Sequence, residues 1–146
     1  MNEIAVRRAF IVIHGIFGVW VGIAMILTGA PPPAEAWFGP EVRYVLGFSG
    51  LAFGALAIYG TYIGDDREPG WSATAVAMVG LTFWHAAMMA IYTAHAASGR
   101  GRIEILGPDE IAMTDQRPYI PFVYMTLMML TAAHALALKR FGRPGH

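Results

Sequence analysis

The sequence predicts an all-α integral membrane protein, a four-helix bundle with antiparallel, up-and-down helices. All of its Lys, Arg, Asp and Glu residues fall outside four windows, 9–29, 44–64, 71–99 and 118–138. Each window reaches the roughly 20 residues that an α-helix needs to cross a hydrocarbon core of about 30 Å. A helix also satisfies its own backbone hydrogen bonds, which a span in lipid must do. We therefore expect spans at about 9–29, 44–64, 71–95 and 118–138.

The composition predicts a single membrane domain. Of its 146 residues, 56% are hydrophobic, which leaves too little chain for a second domain. The net charge of zero provides no electropositive field of the kind that nucleic acid requires. The absence of cysteine from the sequence excludes thiolate nucleophiles and Cys-ligated zinc or iron–sulfur clusters. We predict a single membrane domain over residues 1–146, with the lipid bilayer as its surroundings and no nucleic-acid partner.

Basic residues in short loops predict the orientation of the bundle, because they favour the cytoplasmic side. With the N-terminus inside, the inner side carries Arg7, Arg8, Arg67, Lys139, Arg140 and Arg143. The outer side then carries Arg43, Arg100, Arg102 and Arg117. This excess predicts a multi-pass protein of the cytoplasmic membrane with both termini inside. The inner turn is expected at 65–70, and the outer loops are expected at 30–43 and 96–117.

The two outer loops differ in character. Three consecutive prolines, residues 31–33, fix φ and predict a stiff, extended backbone in the first loop. The second loop mixes both charges with apolar residues and predicts a small amphipathic flap on the membrane surface. Asp115 is expected to cap the last helix. Pro118 and Pro121 fall in its first turn, where a missing N–H costs least.

Two glycine stripes form the best-specified contact surface in the sequence. The stripes are Gly15, Gly18 and Gly22 in the first span, and Gly47, Gly50 and Gly54 in the second. The shared spacing of three and then four residues places each stripe on one helix face. Small residues let helix backbones approach closely in a membrane, where packing and polar contacts drive association. We expect the stripes to join the first two helices within one chain, or alternatively to join subunits of a homo-oligomer or a membrane-protein partner.

Three histidines lie within the spans, and a fourth, His95, lies near the outer boundary. At 1.5 Å per residue, His14 should lie roughly 7 Å and His134 roughly 6 Å from the inner edge, with His85 near the midplane. Paired imidazoles at matching height could bind a haem iron, or they could relay protons. In the alternative packing role, each imidazole donates a hydrogen bond to a neighbouring helix. The sequence predicts no cofactor outright, and His14 and His134 are its candidates for binding haem or quinone.

The sequence offers no recognisable catalytic or metal site. It contains no nucleophile elbow, P-loop, dinucleotide fingerprint or H-E-x-x-H motif. The carboxylates all lie outside the spans, and no pair is visibly arranged for acid–base catalysis. The methionines of the third and fourth spans are interpreted as flexible gap-fillers rather than soft-metal ligands. We therefore predict a non-enzymatic protein.

Three segments carry a resemblance to a known group of proteins. They are Pro31-Pro32-Pro33 through Trp37, the stretch 47–60, and Arg117-Pro118-Tyr119-Ile120-Pro121. With the basic tail and the glycine-spaced helices, they resemble small four-span membrane proteins of actinobacterial phages, which are often encoded beside the endolysin and described as holin-like. The resemblance implies accumulation in the cytoplasmic membrane, lateral self-association, and permeabilisation that leads to cell lysis. One departure is that none of the spans here has a strongly polar face.

Two further functions stay open at this point. The chain could be an accessory or assembly subunit of a respiratory or transport complex, held by its glycine faces. It could also be a redox protein that binds haem or quinone through His14 and His134.

Overall fold

Four long α-helices form the body of the molecule. The computed structural model describes residues 3–64, 68–97, 104–107, 110–112 and 120–142. The helices are α1 (Glu3–Thr28), the short α2 (Pro32–Phe38), α3 (Val42–Ile63), α4 (Ala73–Ala97) and α5 (Ile120–Phe141). Between α4 and α5, strands β1 (Glu104–Gly107) and β2 (Glu110–Ala112) pair antiparallel. The bundle is all-helical, and α1, α3, α4 and α5 are long and apolar enough to cross a membrane, as predicted.

Successive long helices pack against each other in opposite directions. On α1 and α3, Gly15 lies against Gly54 while Gly22 lies against Gly47. The same reversal relates α3 to α4 and α4 to α5. The first residue of α1 and the last of α5 therefore lie at one end, which we call the terminal end. The connections after α1 and α4 leave from the opposite end, which we call the loop end.

The glycine stripes bring α1 and α3 into backbone contact. A Cβ atom built on Gly54 would lie 2.5 Å from the carbonyl oxygen of Gly15, and one on Gly22 would lie 2.5 Å from that of Gly47. Real Cβ atoms do not approach other atoms this closely. The two stripes therefore pack against each other within one chain. A larger side chain at any stripe position would force α1 and α3 apart.

Side-chain hydrogen bonds join the other two pairs of neighbouring helices, α3 with α4 and α4 with α5. The Trp84 indole Nε1 on α4 donates to the carbonyl oxygen of Leu46 on α3 at 2.9 Å. The Thr82 hydroxyl lies 3.0 Å from the Thr131 hydroxyl, which joins α4 to α5. In lipid such polar contacts help to hold helices together, since apolar burial alone gives no preference for protein over lipid.

One side of the bundle has no backbone contact. No Cα atom of α1 lies within 8 Å of a Cα atom of α5 over the described parts of the two helices. They meet through side chains instead, as where the Phe10 ring stacks on the His134 ring with centroids 3.9 Å apart. We call this side of the bundle the α1–α5 seam.

The first connection differs from the extended loop that its prolines predicted. Pro31 is extended, with φ −52° and ψ 136°, but α2 begins at the very next residue. Proline suits the first turn of a helix because its φ is preset and no N–H is needed there. The Glu35 carboxylate accepts a hydrogen bond from the Ala30 backbone N–H at 2.8 Å. The connection is therefore a short helix tied back to the end of α1.

Several of the observed helices begin before or end after the predicted spans. α1 begins at Glu3 rather than near residue 9, and it includes the basic pair Arg7 and Arg8. α5 begins at Ile120, with Pro121 in its first turn. Asp115 and Pro118 lie outside the described residues, so the predicted cap is not seen. The hairpin formed by β1 and β2 falls in the segment for which a surface flap was predicted.

We predict that Gly54→Ala weakens the bundle, because the added methyl group meets the α1 backbone. Overpacking of this kind costs typically about 1–3 kcal/mol of unfolding free energy. Ala55→Leu is the matched control, since Ala55 is the next residue on α3 and is exposed. Unfolding in detergent micelles, followed by circular dichroism, measures both. Equal stability of the Gly54→Ala variant and the parent would contradict the close contact.

Candidate functional site

A fully buried histidine lies at the centre of the bundle. His85 on α4 has 0% exposure. Aromatic rings from three helices surround it: its centroid lies 5.9 Å from His14, 6.4 Å from Phe17, 5.3 Å from Trp84 and 6.2 Å from Tyr124. The sequence placed His85 near the midplane, but its height alone did not predict that rings of α1 and α5 would converge on it.

Neither ring nitrogen of His85 has a hydrogen-bond partner among the residues that the structure describes. A neutral imidazole carries one donor and one acceptor. A buried polar atom left unsatisfied costs about 1–3 kcal/mol. Polar residues in a membrane interior are candidates for function for this reason. His85 therefore differs from a packing histidine, which would bond to a neighbouring helix.

The neighbouring tryptophan fixes where His85 lies. The bond from Trp84 to the Leu46 carbonyl ties α4 to α3. The indole also packs on Gly50, where a Cβ would come within 3.2 Å of the ring. Successive side chains of a helix lie about 100° apart. With Trp84 held toward α3, His85 comes to lie toward α1 and α5.

The second buried histidine belongs to a ring face on α1. Phe10, His14 and Phe17 are spaced by four and then three residues, so they share one helix face. His14 is 6% exposed, and its Nδ1 atom has no hydrogen-bond partner within the described ranges. The glycine stripe of α1 is packed against α3. The ring face is thereby directed toward His85 and the α1–α5 seam.

The third histidine is bound to its own helix. The Nδ1 atom of His134 lies 3.2 Å from the carbonyl oxygen of Leu130, one turn earlier on α5. The Phe10 ring stacks on His134 at 3.9 Å and lies 4.2 Å from His14. His14 and His134, which were predicted to lie at matching height, both contact the Phe10 ring. Because Phe10 packs against both imidazoles, a haem iron could bind the two only if that ring moved away, which weakens the haem interpretation.

A cavity of about 410 Å³ lies at the loop end between α1, α4 and α5. Trp20, Met25, Met88 and the two tyrosines Tyr92 and Tyr124 contribute to its walls. The tyrosine rings stack with centroids 5.8 Å apart. Since Tyr124 also lies beside His85, this tyrosine connects the cavity with the buried histidine.

These residues form one continuous line of side chains through the bundle. From the cavity to the terminal end, the line runs through Tyr92, Tyr124, His85, His14, Phe10 and His134. We call it the ring row. Every member except Phe10 can donate and accept protons. The row follows the side of the bundle where α1 and α5 backbones stay apart.

The remaining candidates have structural positions. The six stripe glycines lie in the α1–α3 contact. Met78 and Met88 are fully buried, whereas Met125 and Met129 are 39% and 62% exposed, so the methionines do not form one cluster. The His95 side chain lies outside the described residues. In the part of the chain that the structure describes, no three His, Asp or Glu side chains are arranged to hold a metal ion.

Comparison with known proteins finds no relative for this chain. No family model matches it, and neither a curated protein nor a solved structure does.

We predict that His85→Leu keeps or raises stability, because it removes two unpaired buried polar atoms from an apolar site. A gain of about 1 kcal/mol in unfolding free energy is expected. His134→Leu is the matched control and should lose stability, since it removes the bond to Leu130. Unfolding in detergent compares the two. A clear loss for His85→Leu would show that the imidazole has a stabilising partner.

Proposed function

We propose that the protein is a non-enzymatic, multi-pass protein of the cytoplasmic membrane that makes this membrane permeable. The observation that carries the proposal is His85, which is buried at the centre of a bundle of membrane-spanning length with both nitrogens unpaired. A protein that needed only a stable bundle would gain by an apolar residue at this position. We infer that His85 is retained because the species that crosses the membrane passes through this polar centre.

The exterior of the bundle supports the membrane location. Large apolar side chains cover all four long helices, among them Leu27, Tyr62, Phe83 and Leu136, with exposures of 74%, 87%, 72% and 68%. Such a surface in water would promote association, whereas in lipid it is well solvated. We place the terminal end in the cytoplasm, since the basic residues Arg7, Arg8, Lys139 and Arg140 lie there.

The α1–α5 seam supports permeabilisation. The α1–α3 contact is closed by backbone against backbone, and α4 is hydrogen-bonded to both of its neighbours. α1 and α5 are held together only by side chains over their described lengths. Separating these two helices therefore costs the least, and it would admit water to the histidines.

The resemblance to holin-like phage proteins agrees with this function but requires a different contact surface. Both glycine stripes are packed within one chain, so they are not free to join copies. Self-association would have to use the outward faces of the long helices. The lysis role and the accessory-subunit role both remain predictions, and the next experiment separates them.

We predict that induced expression in a bacterial host abruptly collapses the membrane potential, measured with a potential-sensitive dye. Phe48→Ala is the control variant, because Phe48 is 56% exposed on α3, away from the seam, and should act like the parent. Gly54→Ala should collapse the potential less, because the added methyl group displaces α1 from α3 and so moves His14 away from His85. Continued growth at full potential, with the protein present in the membrane fraction, would contradict permeabilisation and favour an accessory subunit.

A further inference from the structure

We propose that the permeating species is the proton, and that it moves along the ring row rather than through an open pore. This inference rests on the proposed permeabilising function, and it identifies the species that crosses the membrane. It follows from the unusual combination of unpaired imidazole nitrogens and tight packing in the same place.

The packing argues against an open pore for larger ions. His85 has 0% exposure, and Trp84 beside it has 3%. The Phe17 and Tyr124 rings pack around the same imidazole. A hydrated cation needs a continuous water-filled passage, whereas a proton needs only a chain of donors and acceptors. The centre lacks such a passage, but it places the polar rings of Tyr124, His85 and His14 next to one another.

His85 has the chemistry for a transfer step. A neutral imidazole holds one proton on one nitrogen and a lone pair on the other. It accepts a proton at the free nitrogen and releases the original proton from the opposite nitrogen. The ring ends neutral with its tautomer exchanged, and a ring rotation restores the starting state. Both nitrogens must be free of fixed partners for this step, as they are in the described structure.

The spacing of the row suits short transfers. Ring centroids are 5.8 Å apart between Tyr92 and Tyr124, 6.2 Å between Tyr124 and His85, and 5.9 Å between His85 and His14. Transfer between neighbouring rings requires a bridging water molecule, which enters when α1 and α5 separate. The cavity beside the tyrosines gives the loop end of the row a place where protons are taken up or released.

Phe10 interrupts the row near the terminal end. Its phenyl ring packs against both His14 and His134, and it carries no exchangeable proton. Passage between the two histidines requires this ring to swing aside. Phe10 thus closes the row, and Phe10→Ala is expected to open it.

The test is proton flux into liposomes that contain the purified full-length protein, with a pH-sensitive dye inside and a potential set by potassium and valinomycin. We expect His85→Leu to lower the proton flux at least about tenfold and Phe10→Ala to raise it severalfold. Met78→Leu is the control, since Met78 is fully buried on the same helix but outside the row. Its flux should equal that of the parent. Circular dichroism and size-exclusion profiles check that each variant is folded.

Separate liposomes without valinomycin report potassium flux and release of carboxyfluorescein. A proton flux with neither of the other two supports the inference. Equal passage of all three, unaffected by His85→Leu in a folded variant, overturns the proton row but leaves permeabilisation standing. A parent protein that passes none of the three overturns the proposed function together with the inference.

Discussion

The backbone contact between α1 and α3 is the constraint on which the other features depend. Glycine at six positions lets the backbones of the two helices approach closely. This contact fixes the rotation of α1 about its axis. It thereby sends the face with Phe10, His14 and Phe17 away from α3 and toward α4 and α5. A bundle without the stripes would have no reason to hold His14 near His85.

Two opposite kinds of packing then coexist in one small bundle. The α1–α3 side is closed by backbone contact, and the α1–α5 side is bridged by rings. The unpaired imidazoles lie toward the second side. Buried polar groups cost stability unless they are paired, and their position along the side without backbone contact agrees with the proposed path. In the proposed function, the α1–α3 side provides stability and the α1–α5 side provides the passage.

Much of the fold could be predicted from the sequence, because uncharged stretches of membrane-spanning length leave few alternatives. The matching height of His14 and His134 followed from helix rise alone, and both do contact Phe10. The helix at Pro32–Phe38 was missed, since consecutive prolines suit a helix start as well as an extended chain. The approach of Tyr124 to His85 was also missed, because height does not tell which faces of separate helices meet. The spacing of Phe10, His14 and Phe17 was the available signal for a ring face on α1.

The central claim is that the glycine stripes pack within one chain and so orient α1. Nuclear Overhauser effects between the Gly15 Hα protons and the Ile58 side chain test it most directly, since that side chain packs on Gly15. A uniformly labelled sample in micelles should show the effects. An isotope-filtered mixture of differently labelled chains, which reports contacts between copies alone, should show none. Effects of full strength in the mixed sample would mean that the stripes join separate chains, and the orientation of His14 would lose its basis.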